Sequence, residues 1–219
     1  MTARELFPDG LHGLIYDCDG VMINSAEGNR HLYNRVLARL DVDPMTPEQE
    51  KFAFQATFQQ ALAALVPPEK HHLIEDAYKT AIDYDRDVLP RIKLMPGYRE
   101  FVQAAHARGL AQAIDTNRTD FGIEKILTHF ELPSWFNPVI TSSTVERPKP
   151  FPDGVEMICS AWGCAPDRTL FIGDSPDDRA AARSAGARFA AFGANGLSGD
   201  ISISDWASLA KLLWQADLS

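Results

Sequence analysis

Five short apolar runs, GLIY from Gly13, LAQAID from Leu110, PVITSS from Pro138, TLFIGD from Thr169 and RFAAFG from Arg188, each end in small or polar residues. Continuous apolar runs of this length read as strands buried on both faces. Between the later runs, apolar positions recur at helical spacing: Phe101, Val102 and Ala105; Ile123, Ile126, Leu127 and Phe130; Val155, Ile158, Ala161 and Trp162. Strand alternating with helix predicts an α/β fold with a parallel sheet covered on both sides.

The first run ends at Tyr16 and the second starts at Leu110, a gap far longer than one crossover helix needs. Three amphipathic faces fill most of it: Leu32, Val36 and Leu40; Phe54, Phe58, Leu62 and Leu65; Ile74, Ala77, Tyr78, Ala81 and Ile82. DVDPMTP and LVPPE break the helices, and LPRIKLMPG returns the chain to the sheet. Residues 22–93 are therefore expected to form a small helical cap, and residues 1–21 and 94–219 the core. Phe52, Phe54 and Phe58 are expected to fill the cap's interior, with one of them a candidate to face the substrate.

Composition narrows the partners more than the fold. The 219 residues are 45% hydrophobic and 23% charged, which is ordinary for a folded chain. With 21 Lys and Arg against 30 Asp and Glu, the formal charge is −9, a sign that disfavours nucleic acid and anionic lipid. The start, MTARELFPDGLHG, lacks the apolar stretch of a signal peptide, and no apolar run reaches the roughly 20 residues of a membrane span. Cys18, Cys159 and Cys164 form no CxxC pair, so a reducing, cytoplasmic setting is expected.

Ligands of open parallel sheets bind at the carboxyl ends of the strands. There the sequence places Asp17, Asp19 and Gly20 after the first run, and Thr116 and Asn117 after the second. Lys149 follows the third, and Asp174, Asp177 and Asp178 follow the fourth. Two anions about 4 Å apart cost roughly 4 kcal/mol at an effective dielectric near 20, so Asp17 and Asp19 need a cation, a substrate or water beside them. The same anions disfavour a Cys18 thiolate, which removes it as a nucleophile. Local structure explains part of the pattern: Thr116 suits a turn hydroxyl, Ser175 a helix cap, Pro176 the first helical position, and Asp177 and Asp178 the helix dipole. It leaves Asp174, at the strand end before the cap, without a role.

Taken jointly, DCDGV, DTN, RPKPFPDG and GDSPDDRAAARSAG resemble, in this order, the four motifs of the haloacid dehalogenase superfamily, over Asp17 to Gly186. The insertion after the first motif, and LMPGYREFVQAAHARGL before the second, resemble the phosphoglycolate phosphatase and β-phosphoglucomutase branch. The resemblance implies a Rossmann-like α/β core with a helical cap, acting as a Mg²⁺-dependent phosphatase on a small phosphorylated metabolite. Asp17 would be the nucleophile that forms an aspartyl phosphate, and Asp19 the acid that protonates the leaving oxygen and then the base that activates water. Gly20 would let the chain turn away at the phosphate site, while Thr116, Asn117 and Lys149 would bind the phosphoryl group. Asp17, the backbone carbonyl of Asp19, Asp174 and Asp178 would hold Mg²⁺, Asp178 directly or through water. Arg118 and Arg147 are further candidates to face the phosphate.

Rival activities are weighed on the same residues. Dehalogenases and phosphonate-cleaving members of the superfamily lack the second aspartate of the first motif, which Asp19 supplies here. Sugar-phosphate mutases carry a hinge histidine where NSAEGNRH has Asn29, with His31 two residues on, so hydrolysis is favoured over mutase chemistry. A phospho-acceptor regulatory domain, which is phosphorylated without turnover, would be shorter and capless. PEQEKFAFQATFQQAL lacks the glycine of the family's specificity loop, which sets phosphoglycolate itself in question. His31 and Arg35 are read as a solvated helix face or a substrate contact.

Overall fold

The computed structural model describes residues 2–193 and 196–214. β1 (Gly13–Tyr16) leads into a ribbon of β2 (Ile23–Asn24) and β3 (Lys93–Leu94), and β4 (Ala111–Asp115), β5 (Val139–Ile140), β6 (Thr169–Gly173), β7 (Arg188–Phe192) and β8 (Ile201–Ile203) follow. Among the described residues, six of these strands form one parallel sheet in the order β5-β4-β1-β6-β7-β8. The helices are α1 (Ala3–Leu6), α2 (Ala26–Arg39), α3 (Pro47–Gln55), α4 (Phe58–Leu65), α5 (Ile74–Ala81), α6 (Tyr98–Ala107), α7 (Asp120–His129), α8 (Asp153–Trp162), α9 (Pro176–Ala185) and α10 (Trp206–Trp214). This is the α/β fold with a helical cap that the alternation of runs predicts. No helix among the described residues is long and apolar enough to cross a membrane.

Successive strand residues feed opposite faces, which is why the runs are apolar throughout. Leu14, Tyr16, Leu170, Ile172 and Phe192 pack with Tyr98, Phe101, Ile123 and Trp206. Ile15, Phe171 and Phe189 pack on the other side with Val155, Ile158 and Ala182. Tyr16 anchors the first face, with ring centroids 5.7 Å from Tyr98 and 5.9 Å from Phe136. Its hydroxyl donates to Gln112 Oε1 at 2.8 Å, so a buried aromatic adds apolar area without orphaning its polar tip.

Asn24 pairs with Lys93 and Ile23 with Leu94 in the antiparallel ribbon, which brings the outgoing and returning chains side by side. From there α2 to α5 stand over the carboxyl edge of the sheet. The apolar period that runs from Phe54 to Leu65 does not make one helix. α3 ends at Gln55 and α4 begins at Phe58, because Thr57 caps α4 by accepting from Gln60 N while Gln60 Oε1 accepts from Thr57 N at 3.0 Å. The expectation for the cap aromatics needs correction as well. Phe52 is 48% exposed and Phe54 faces a cavity between cap and core, whereas Phe58 packs among the cap rings of Tyr33 and Tyr78 as expected and also borders that cavity. Two smaller expectations change: PVITSS contributes only Val139 and Ile140 to the sheet, and Cys159 takes the buried position on α8 expected for Ala161, which is exposed.

Candidate active site

The sheet delivers Asp17 directly from β1, its amide donating to Ile172 O at 3.0 Å and extending the strand ladder by one residue. The chain then folds back on itself. Met22 N and Ile23 N both donate to Cys18 O, at 2.9 and 3.1 Å, and Gly20 N donates to Ile23 O at 2.8 Å. Gly20 holds φ +79°, which only glycine adopts without strain, and a Cβ there would clash with the Asp174 carboxylate. Gly20 does not itself line the cavity; it turns the chain and lets the loops after β1 and β6 close together.

The tight turn sends the two acids of DCDG in different directions. Asp17 meets Lys149, which comes from the loop after β5 and is only 4% exposed at its side chain. Lys149 Nζ donates to Asp17 Oδ1 at 2.6 Å, to Asp178 Oδ1 at 2.7 Å and to Asp115 O at 2.9 Å. Burial would drive its charge off, but Asp17 and Asp178 hold its pKa well above the usual lysine value. Asp178 is fixed from its other side: its Oδ2 accepts from Asp174 N at 3.2 Å, Ser175 N at 3.0 Å and Ser175 Oγ at 2.7 Å. The Ser175 cap and the Asp178 position are thus one device.

Too many anions meet here for a single ammonium. Asp17, Asp174 and Asp178 each offer one carboxylate oxygen within 4.8 Å of the others. Burial, followed by the charge of Asp178, pushes the Asp17 carboxyl well above its ordinary range despite Lys149. Burial and Asp178 likewise push Asp174 up to about 7, and burial pushes Asp115 up to about 6. The cluster holds only oxygen donors, the set a hard dication prefers.

Asp19 points away from this cluster and into a second one. Arg118 grips it with two bonds, Nε to Oδ2 at 2.7 Å and Nη2 to Oδ1 at 2.6 Å. The same guanidinium donates to Tyr84 OH at 2.9 Å and to Asn29 Oδ1 at 3.1 Å, and Ser25 Oγ also donates to Asp19. Arg118, a candidate to face the phosphate, is thus an orienter of Asp19. Tyr84 escaped the sequence reading altogether. It opens a π-helical turn over Tyr84–Val88, an irregularity that hydrophobic spacing does not announce. Arg147 is drawn off to Asp153 at 2.8 Å, on the surface.

Thr116 and Asn117 follow β4 as expected and both line the cavity. Thr116 Oγ accepts from Arg118 N at 3.2 Å. Asn117 Nδ2 donates to Lys149 O at 3.1 Å and to Gln55 O of the cap at 3.2 Å, a core-to-cap tie across the site. The cavity, about 400 Å³, opens onto Asp17, Asp19, Asp174, Asp178, Thr116 and Lys149 together. The proposed nucleophile, acid–base, phosphate-binding and metal-ligand side chains therefore reach one chamber, whereas Arg147, His31 and Arg35 do not line it.

A sequence model of the haloacid dehalogenase-like hydrolases matches residues 14–192. The chain belongs to that family. A phosphoglycolate phosphatase from Salmonella typhi is 24% identical over 200 residues, covering 80% of this chain and 79% of that protein. A haloacid dehalogenase-superfamily hydrolase of subfamily IA from Geobacter sulfurreducens superposes with a TM-score of 0.74 at 29% identity, covering 93% of this chain and 96% of that one. CbbY from Rhodobacter sphaeroides, solved in complex with phosphate, superposes at 0.77 with 20% identity over 91% of this chain and 96% of its own, a likeness of fold. Within the haloacid dehalogenase-like hydrolases, this chain is an enzyme of the phosphatase branch.

Proposed function

We propose that this haloacid dehalogenase-like hydrolase is a Mg²⁺-dependent phosphatase that cleaves a small phosphomonoester through an aspartyl phosphate on Asp17. The observation that carries the reading is the convergence of Asp17, Asp174 and Asp178 around oxygen-only donors with Lys149 bonded to two of them. Asp17, Asp174 and the backbone carbonyl of Asp19 would hold the ion. Both Asp178 oxygens are already engaged, which supports a contact relayed by water. When bound, Mg²⁺ would supply the positive charge that lets an anionic nucleophile meet an anionic phosphate.

The chain's own residues would then act in turn. An Asp17 oxygen forms a bond to phosphorus as the bond to the leaving oxygen breaks, and Asp19 gives that oxygen a proton. Water next attacks the aspartyl phosphate, its proton goes to Asp19, and the bond between Asp17 and phosphorus breaks. Thr116 donates its hydroxyl to a phosphoryl oxygen through both steps, Lys149 supplies a fixed positive charge beside Asp17 and the phosphate, and Asn117 holds the Lys149 loop and the cap around them, which is electrostatic stabilisation by groups already in place. Arg118 keeps Asp19 beside Asp17 but turned toward the cap, where a leaving group would lie. Residues 22–93 would serve as the cap that shields the reaction from bulk water and selects the leaving group. Cys18, Cys159 and Cys164 are free thiols, which supports a cytoplasmic setting.

Phosphate release from an aryl phosphate tests this reading. Activity is expected with Mg²⁺, loss in excess chelator, and recovery when Mg²⁺ is returned. Undiminished turnover in chelator would refute the metal's role.

A further inference from the structure

We infer that the leaving group this site accepts is uncharged and aromatic or broadly apolar, so that phosphomonoesters bearing a second anion are poor substrates. The inference rests on the phosphatase reading above and concerns the other end of the substrate. It comes from the contrast between the floor and the roof of the cavity.

The floor carries the charge. The roof, built from the cap and from α7, is a sheet of rings and aliphatic groups: Leu32, Tyr33, Phe54, Phe58, Tyr78 and Phe121. The rings brace one another. Tyr33 stacks on Phe58 at 6.1 Å, Phe58 meets Tyr78 edge-on at 5.0 Å, and Tyr84 meets Phe121 edge-on at 5.4 Å. The polar groups interleaved among them, the Asn29, Gln55 and Gln59 amides and the Tyr33, Tyr78 and Tyr84 hydroxyls, carry no charge.

A carboxylate or second phosphate under that roof would need a cation. Among the described residues lining the cavity, the cations are Lys149 and Arg118, and both are committed. Lys149 serves Asp17 and Asp178, and the Arg118 fork is filled by Asp19. The helix ends at the rim offer no substitute. Thr57 caps α4 and Thr119 caps α7, whose first turn also carries Asp120. An anionic leaving group would therefore lose its hydration and receive no paired charge in return. A planar apolar group would instead replace water against rings already set for offset and edge-on contacts. A cavity of about 400 Å³ suits such a small ligand.

The test uses the full chain with Mg²⁺ and compares kcat/KM for benzyl phosphate, phosphoglycolate and acetyl phosphate. Acetyl phosphate reports the chemistry with little demand on the roof. Benzyl phosphate is expected to exceed phosphoglycolate by at least about 100-fold. Phe58→Ala should lower kcat/KM for benzyl phosphate about tenfold, chiefly through KM, and by clearly more than it lowers kcat/KM for phosphoglycolate. Phe54→Arg, at a half-buried position that tolerates a longer side chain better, should raise phosphoglycolate relative to benzyl phosphate by about tenfold or more. It carries the test if Phe58→Ala does not fold. Equal or better use of phosphoglycolate by the unaltered chain, or indifference of benzyl phosphate to both variants, overturns the inference, while Mg²⁺-dependent hydrolysis of either of these two monoesters keeps the phosphatase reading standing. Failure to hydrolyse any of the three overturns both.

Discussion

Replacing Asp174 with Asn should make the metal-free protein more stable while disabling the enzyme. Burial and the neighbouring Asp178 lift the Asp174 pKa from 3.8 to about 7. A carboxyl whose folded pKa is raised binds protons more tightly in the folded state, so its stabilising contribution is complete below pH 3.8 and lost as pH climbs through about 7. Holding the proton up to about pH 7 rather than 3.8, at about 1.36 kcal/mol per pH unit, amounts to ~4 kcal/mol; because Asp174 keeps some contact with solvent, about 2–4 kcal/mol is expected. More than half of this develops between about pH 5 and pH 8. Urea unfolding in chelator should therefore find Asp174→Asn more stable than the parent by about 2 kcal/mol or more at about pH 8, with a smaller gain at about pH 5. Mg²⁺ at a hundred times its dissociation constant should return about 2.7 kcal/mol to the parent and much less to the variant. A variant that is no more stable at the higher pH, or whose advantage is the same at both, would refute the claim that crowded anions at this site are held at a cost the ion relieves.

Three other substitutions probe the remaining parts. Arg118→Met leaves Asp19 without its two-pronged partner and should lower kcat by about 100-fold in a folded protein; Arg118→Lys should not restore it, because an ammonium cannot present the fork, and a kcat within about threefold of the parent would remove Arg118 from the account. Gly20→Ala forces a side chain into the left-handed region, costing about 1–2 kcal/mol, and displaces the Asp174 carboxylate, so Mg²⁺ affinity measured by calorimetry should fall about tenfold or more, and unchanged affinity would contradict the packing argument. Lys149→Met strips the buried carboxylates of their ammonium and should cost about 3–5 kcal/mol by urea unfolding at neutral pH, against a null effect if those carboxylates were simply solvated.

What the sequence makes legible is the part of the site that the backbone positions. Asp17, Thr116 and Asp174 stand at strand ends, and a parallel sheet aligns strand ends whatever the loops do. Lys149 is reached through its motif, and its fixation is visible only once Asp17, Asp178 and Asp115 O surround it. The Arg118 grip on Asp19 is a different case. It depends on Tyr84 and Asn29 arriving from the cap, and no local pattern encodes a contact between segments so far apart in the chain. The break at Ala56 and Thr57 was hidden because the apolar spacing runs on through it while the Thr57 and Gln60 side chains end one helix and start another. Phe52 shows the converse limit: hydrophobic spacing places a side chain on a face without saying whether that face is covered. β8 is missed because Ile201 and Ile203 alternate with Ser202 in a segment too short to stand out from its glycine and serine surroundings.

The central claim is that Asp17 makes and breaks the bond to phosphorus, and the kcat/KM of Asp17→Asn with saturating Mg²⁺ tests it most directly. The variant keeps the size of the side chain and the Lys149 neighbour, so its melting curve should show a folded protein. A fall of at least about 10³-fold in phosphate release is predicted. Turnover within about tenfold of the parent would contradict the account.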